Sequence, residues 1–155
     1  MPPLSTHPFL PYISTLFSTI FLGFGMTYIL YPQTGFTLYG FSTSPTTPAD
    51  WALMERIMIL YGAKDIFMAV AIFASTWFGT KKSAGLVLLA ASACAGVDGF
   101  VVGKEAGTRE WNHWGYGSMM GVLGAVMTGC GVGDESGKKE NPEGPMGVGS
   151  RRSAC

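Results

Sequence analysis

The sequence predicts an all-α protein: a bundle of four transmembrane helices followed by a disordered C-terminal tail. Three observations carry that prediction. Charged residues make up 13% of the 155 residues while hydrophobic ones reach 48%, whereas soluble domains are usually about a quarter charged. Four apolar stretches each approach the roughly 20 residues that a helix needs to cross the ~30 Å hydrocarbon layer. The last stretch, 133–155, has almost no aliphatic residues and many Gly, Pro and charged ones, so it cannot bury enough apolar area to order itself. A chain of this length suits one domain, assigned to residues 1–132.

The first apolar stretch, Phe9 to Tyr31, ends at Pro32 and carries aromatic residues of the kind that favour membrane interfaces. A cleaved signal peptide is the rival reading, but the segment lacks a basic leader and is longer than an ordinary signal core. Pro32 to Asp50, "PQTGFTLYGFSTSPTTPAD", is rich in Pro, Thr, Ser and Gly yet contains Phe36, Tyr39 and Phe41, and reads as a loop lying against the membrane face. Asp50 is a candidate N-cap for the second helix, Trp51 to Phe78. "GTKK" forms a short turn before the third helix, Ser83 to Gly103. The polar loop "KEAGTRE" then leads to the fourth, Trp111 to Val132.

Basic residues in short loops set the orientation. Four crossings place the N-terminus, Lys81 and Lys82, and the tail lysines and arginines on one side, and Lys104 and Arg109 on the other. Both termini are therefore expected in the cytoplasm, with the chain multi-pass in the endoplasmic reticulum or another endomembrane. Pro2 excludes N-myristoylation, and Cys155 does not fit a prenylation box. The balance of ten basic and ten acidic residues argues against a nucleic-acid partner. The cysteines, Cys94, Cys130 and Cys155, have neither disulfide nor metal-ligand spacing, so no metal site is expected.

Small residues recur at intervals of four in the fourth helix, at Gly117, Gly121, Ala125 and Gly129, and in the third, at Ala91, Ala95 and Gly99. Such stripes let two backbones approach closely in lipid. They would face one another or, in a homo-oligomer, a neighbouring chain.

Polar groups in hydrocarbon cost roughly 2.5–3.5 kcal/mol for a central Asp, Lys or Arg. Yet Glu55, Arg56, Lys64, Asp65, Asp98 and His113 all lie in or at the ends of the helices. At 100° per residue, Asp65 shares a face with Met54, Met58, Tyr61, Gly62 and Met68, while Arg56 points to the opposite side. Asp65 therefore needs a partner from another helix, with Asp98 and His113 as candidates, or must be neutralised by Lys64. The alternatives are structural: an interhelical ion pair for Lys64 and Asp65, interfacial charges for Glu55 and Arg56, a helix-break cap for Asp98 and an interface residue for His113. There is no nucleophile elbow, phosphate loop or dinucleotide turn.

The segments "YGAKDIFMAVAIF", "GVDG" and "NHWGYGSMMGVLGA" resemble a family of small four-helix membrane proteins of unknown function, found in bacteria and abundantly in filamentous fungi. The resemblance spans Phe9 to Val132. It rests on a basic-Asp dipeptide in helix two, an Asp late in helix three and a His opening helix four. Many members carry Arg where this chain has Lys64, which keeps the charge without keeping bidentate binding. The resemblance implies the fold and, through the fungal members, a setting in secondary metabolism.

Together these features lead us to expect an isomerase or cyclase that acts on a lipophilic polyketide or terpenoid by acid-base chemistry without a cofactor. A carboxyl group in low dielectric retains its proton and can donate it to an epoxide, alkene or carbonyl. Asp65 or Asp98 would be the acid, His113 the base or relay, and Lys64 or Arg56 the stabiliser of negative charge. Tyr61, Met58, Glu55 and Trp114 would contact the substrate. The alternatives are a non-catalytic binder of a lipophilic molecule or carrier of protons, and a structural partner of a membrane complex.

Overall fold

The computed structural model describes residues 7–41, 43–106 and 110–129, and among them every regular element is helical. The helices are α1 (Leu10–Leu30), α2 (Pro32–Tyr39), α3 (Pro48–Phe78), α4 (Lys81–Ala106) and α5 (Glu110–Thr128). The expected disordered tail and the residues 130–132 assigned to the fourth helix lie outside the described residues, as does Arg109. Among the described residues three helices are long and apolar enough to cross a membrane: α1, α3 and the Lys81–Glu105 portion of α4. The fourth expected span, α5, has 19 residues and is not among them. Phe67, Leu60, Val97 and Val122 point outward and are exposed, so the outer surface is as apolar as lipid contact requires.

Two expected boundaries move. The first half of the Pro32–Asp50 loop is helical. Pro32 opens α2, where its missing N–H costs nothing, and Gly40 closes it in the left-handed region at φ 68°, which glycine enters freely. The second change is at α3, whose N-cap is Thr47. Its hydroxyl accepts from the Asp50 backbone N–H while the Asp50 carboxylate accepts from the Thr47 backbone N–H. Asp50 is thus the third residue of a capping box and not the cap itself. The lysines of "GTKK" belong to α4, whose start is tied by reciprocal bonds between Thr80 and Ser83.

The helices form two antiparallel pairs, α1 with α3 and α4 with α5, and α3 and α4 meet over a smaller area. Each pair crosses at reciprocal glycines. A Cβ on Gly25 would lie 2.8 Å from the Gly62 carbonyl oxygen, and one on Gly62 would lie 2.7 Å from that of Gly25. In the other pair a Cβ on Gly85 would lie 2.7 Å from the Gly124 oxygen, and one on Gly124 2.8 Å from that of Gly85. Side-chain hydroxyls add bonds across each seam. Ser18 donates to the Ala69 carbonyl at 2.8 Å, Ser14 meets Thr76 at 2.9 Å, and Ser92 donates to the Gly117 carbonyl at 2.7 Å. In a medium without water such bonds and close backbone contact replace the hydrophobic effect as the source of helix association. The small-residue face of α5 is therefore turned to the chain's own α4, with Gly117 against Ala95 and Gly121 against Ser92.

Gly62→Ala should force the α1–α3 crossing apart and lower thermal stability in detergent by about 1–3 kcal/mol, the usual range for overpacking. Gly23→Ala, where an added Cβ meets nothing within 4 Å, should leave the unfolding midpoint unchanged or raise it slightly.

Candidate functional site

The polar residues of α3 and α4 meet near the half of the bundle that α2 covers. Lys64 donates from Nζ to Asp98 Oδ2 at 2.8 Å, and the same ammonium lies 3.8 Å from Asp65 Oδ1. One cation therefore bridges two carboxylates on different helices. Its charge also sits over the Tyr61 ring, 4.3 Å from the centroid, an arrangement that favours a partly desolvated cation. Asp65 is only 7% exposed, and no hydrogen bond to its carboxylate occurs among the described residues. The contact with Lys64 is longer than a hydrogen bond.

Asp65, Asp98 and His113 line one cavity of about 270 Å³. Its remaining walls come from one side of α1, through Phe17, Phe21, Phe24 and Tyr28, from Tyr39 of α2 and from Tyr116 of α5. The α1 residues fall at helical spacings of three and four, so they form a single stripe. His113 shares a 2.8 Å hydrogen bond between Nδ1 and the Tyr116 hydroxyl. Its ring stacks on Tyr39, with centroids 5.6 Å apart and planes at 19°.

Tyr39 divides this cavity from a second one of about 300 Å³ that also reaches Asp98. The second cavity is bounded by Phe36 and Phe41, by Met54, Met58 and Tyr61 of α3, and by Val101 and Val102 of α4. Tyr39 is buried and packs against the rings of Tyr28, Phe41, Tyr61 and His113. Burial pushes its hydroxyl far above the ordinary tyrosine range, so it remains a neutral donor.

The residues singled out from the sequence are thus only partly assembled. Lys64, Asp65, Asp98 and His113 come together, and Tyr61 and Met58 line the adjoining cavity. Arg56 is exposed on the outside of α3 and lines neither cavity. Glu55 accepts a 2.8 Å bond from Gln33 Nε2, which ties α3 to α2 outside both cavities. Trp114 lies over Gly99 on the outer side of the α4–α5 pair and is 48% exposed. Tyr28, Tyr39 and Tyr116 were not anticipated as site residues. The sequence does hold signals for two of them: Tyr116 is one helical turn from His113, and Tyr28 continues the Phe17, Phe21 and Phe24 stripe. Among the described residues no group of three or more His, Cys, Asp or Glu could hold a metal ion.

Residues 18–127, which include all of these residues except Phe17, match the sequence model of a family described as "Domain of unknown function (DUF4267)". The chain belongs to that family. No curated protein and no solved structure matches it. The DUF4267 region begins inside α1 and ends inside α5, so it takes in both helix pairs and both cavities.

If the Lys64 bridge holds α3 to α4, Lys64→Met should destabilise the protein by an amount near the low end of about 3–5 kcal/mol, because two carboxylates are left buried without a cation. The double variant Lys64→Met with Asp98→Leu should recover part of that loss. Thermal unfolding in one detergent, arranged as a double-mutant cycle, measures both.

Proposed function

We propose that the protein is a membrane-embedded isomerase or cyclase that binds a lipophilic molecule, of the polyketide or terpenoid kind, in the cavity lined from all five helices and moves a proton on it. The observation that carries this reading is that Asp65, Asp98 and His113 line one mostly aromatic cavity. A proton donor and a proton acceptor there would face the same bound atoms in a medium that excludes water, which is what general acid-base catalysis needs. Asp65 or Asp98 acts as the acid and His113 as the base or relay, with Tyr116 orienting the imidazole through their hydrogen bond. Lys64 holds the Asp98 carboxylate in place through their 2.8 Å bond. Tyr61 and Met58 contact the part of the substrate that extends past Tyr39. No cofactor takes part in such a redox-neutral step.

A structural reading is favoured by one specific feature, the 2.8 Å bond from Lys64 to Asp98, which spans the less extensive α3–α4 contact. In that reading the polar cluster is a clamp, and the protein binds or carries a lipophilic molecule or protons without turnover, or joins a membrane complex.

The two are separated by metabolite profiling of a host with the gene intact, deleted, or replaced by Asp65→Asn or Asp98→Asn at normal membrane abundance. The enzyme reading expects deletion to accumulate an intermediate and at least one variant to reproduce that accumulation. Wild-type profiles from both variants would overturn it in favour of the clamp.

We further place α5 as the fourth crossing and both termini in the cytoplasm, with residence in the endoplasmic reticulum or another endomembrane. The support is the basic character of Lys81 and Lys82 and of the tail. Protease added to sealed microsomes should remove tags from both ends. Protection of either tag would refute the orientation.

A further inference from the structure

The charged groups that line the cavity of Asp65, Asp98 and His113 are of one sign. Two carboxylates, those of Asp65 and Asp98, line it, and Lys64 does not; its ammonium is drawn aside over the Tyr61 ring, which faces the second cavity. The Asp65 carboxylate, nine-tenths buried, has the ammonium only at 3.8 Å. Opposite the carboxylates stand the rings of Phe21, Phe24, Tyr28, Tyr39 and Tyr116. Acidic oxygens on one side and aromatic rings on the other both attract positive charge, the rings through their electron-rich faces.

We infer that the cavity is complementary to a cation borne by its ligand, formed there when a neutral lipophilic molecule accepts a proton. This rests on the reading of the cavity as the place where such a molecule binds. The proton leaves the carboxyl O–H of Asp65 or Asp98 and forms a C–H bond with an alkene π pair, or an O–H bond on an epoxide or carbonyl. The ligand becomes a carbocation or oxocarbenium ion, and the carboxylate left behind faces it. Lys64, two carboxyl groups sharing one proton, and a neutral ligand sum to zero charge. After transfer the sum is unchanged, with the positive charge now on the ligand between the carboxylates and the rings. Loss of a proton to His113 or to the same carboxylate completes an isomerisation with no oxidant or reductant. Phe17 borders both this cavity and a groove between α1 and α5 formed by Leu10, Ile13, Met119 and Val122, where the ligand's apolar remainder would lie.

A stable cation of matched shape should therefore bind better than its neutral counterpart. The test uses full-length protein in nanodiscs, titrated with a decyl chain ending in trimethylammonium and with the same chain ending in tert-butyl, each corrected against protein-free nanodiscs. About tenfold tighter binding of the ammonium is expected. In the isosteric variant Asp65→Asn that preference should shrink to about threefold or less, while the tert-butyl probe still binds and so reports an intact cavity. Equal affinity of the wild-type protein for both probes would overturn the cation proposal while leaving lipophile binding intact. Failure of both probes to bind would overturn the binding reading beneath it.

Discussion

The arrangement of this protein depends on a cation shared by two acids in an otherwise apolar bundle. Each helix pair is held by its own glycine crossing and hydroxyl bonds, but α3 and α4 have no comparable seam. Between them stands the Lys64 bridge to Asp65 and Asp98. Removing charged groups from water is costly, and mutual attraction offsets that cost only when geometry and hydrogen bonding are good. Here the 2.8 Å bond and the Tyr61 ring supply both for Lys64, while among the described residues Asp65 has the ammonium only at 3.8 Å. The cluster is therefore stable as a unit and unsatisfied at one end, the end that faces the cavity.

Packing is distributed unevenly in a way that leaves room for this cavity. At Gly25 with Gly62 and at Gly85 with Gly124, backbones touch and no space remains. Along the α1–α5 side the helices meet through large rings, as in the edge-on contact of Phe21 with Tyr116 at 6.2 Å. Large rings cannot interdigitate as closely as glycines, so that side retains the cavity and the adjoining groove. Close packing in two seams and loose packing in a third are both written in the distribution of small and aromatic residues.

Much of the fold was legible because it rests on local composition. Apolar runs locate α1, α3, α4 and α5 to within a few residues, since hydropathy needs no knowledge of partners. The short α2 was not legible: its Pro, Gly and Thr content reads as loop, and its Gly35 packs against the Tyr28 ring and Met58, contacts that exist only after folding. The same division holds at the site. Helical angles alone separate Arg56 from Asp65, and Arg56 is exposed. They cannot choose between Asp98 and His113 as a companion for the α3 charges, because that choice depends on how α3 and α4 are set along their axes. Tyr39 escaped notice for the same reason as α2 itself. Glu55 and Trp114 lie outside both cavities, on faces that only packing reveals.

The separation of Lys64 from Asp98 by 34 residues in sequence has a bearing on how the chain is made. At a synthesis rate of about 5–20 residues per second, Asp98 is added roughly 2–7 seconds after Lys64. During that interval the α1–α3 hairpin, already able to close at Gly25 and Gly62, carries a lysine whose lasting acidic companion has not been synthesised. Asp65, the very next residue, is present from the start and supplies an interim counter-charge. The adjacency of these two residues thus serves the nascent chain before the finished one, giving the cation an escort across the bilayer until α4 arrives to take it over.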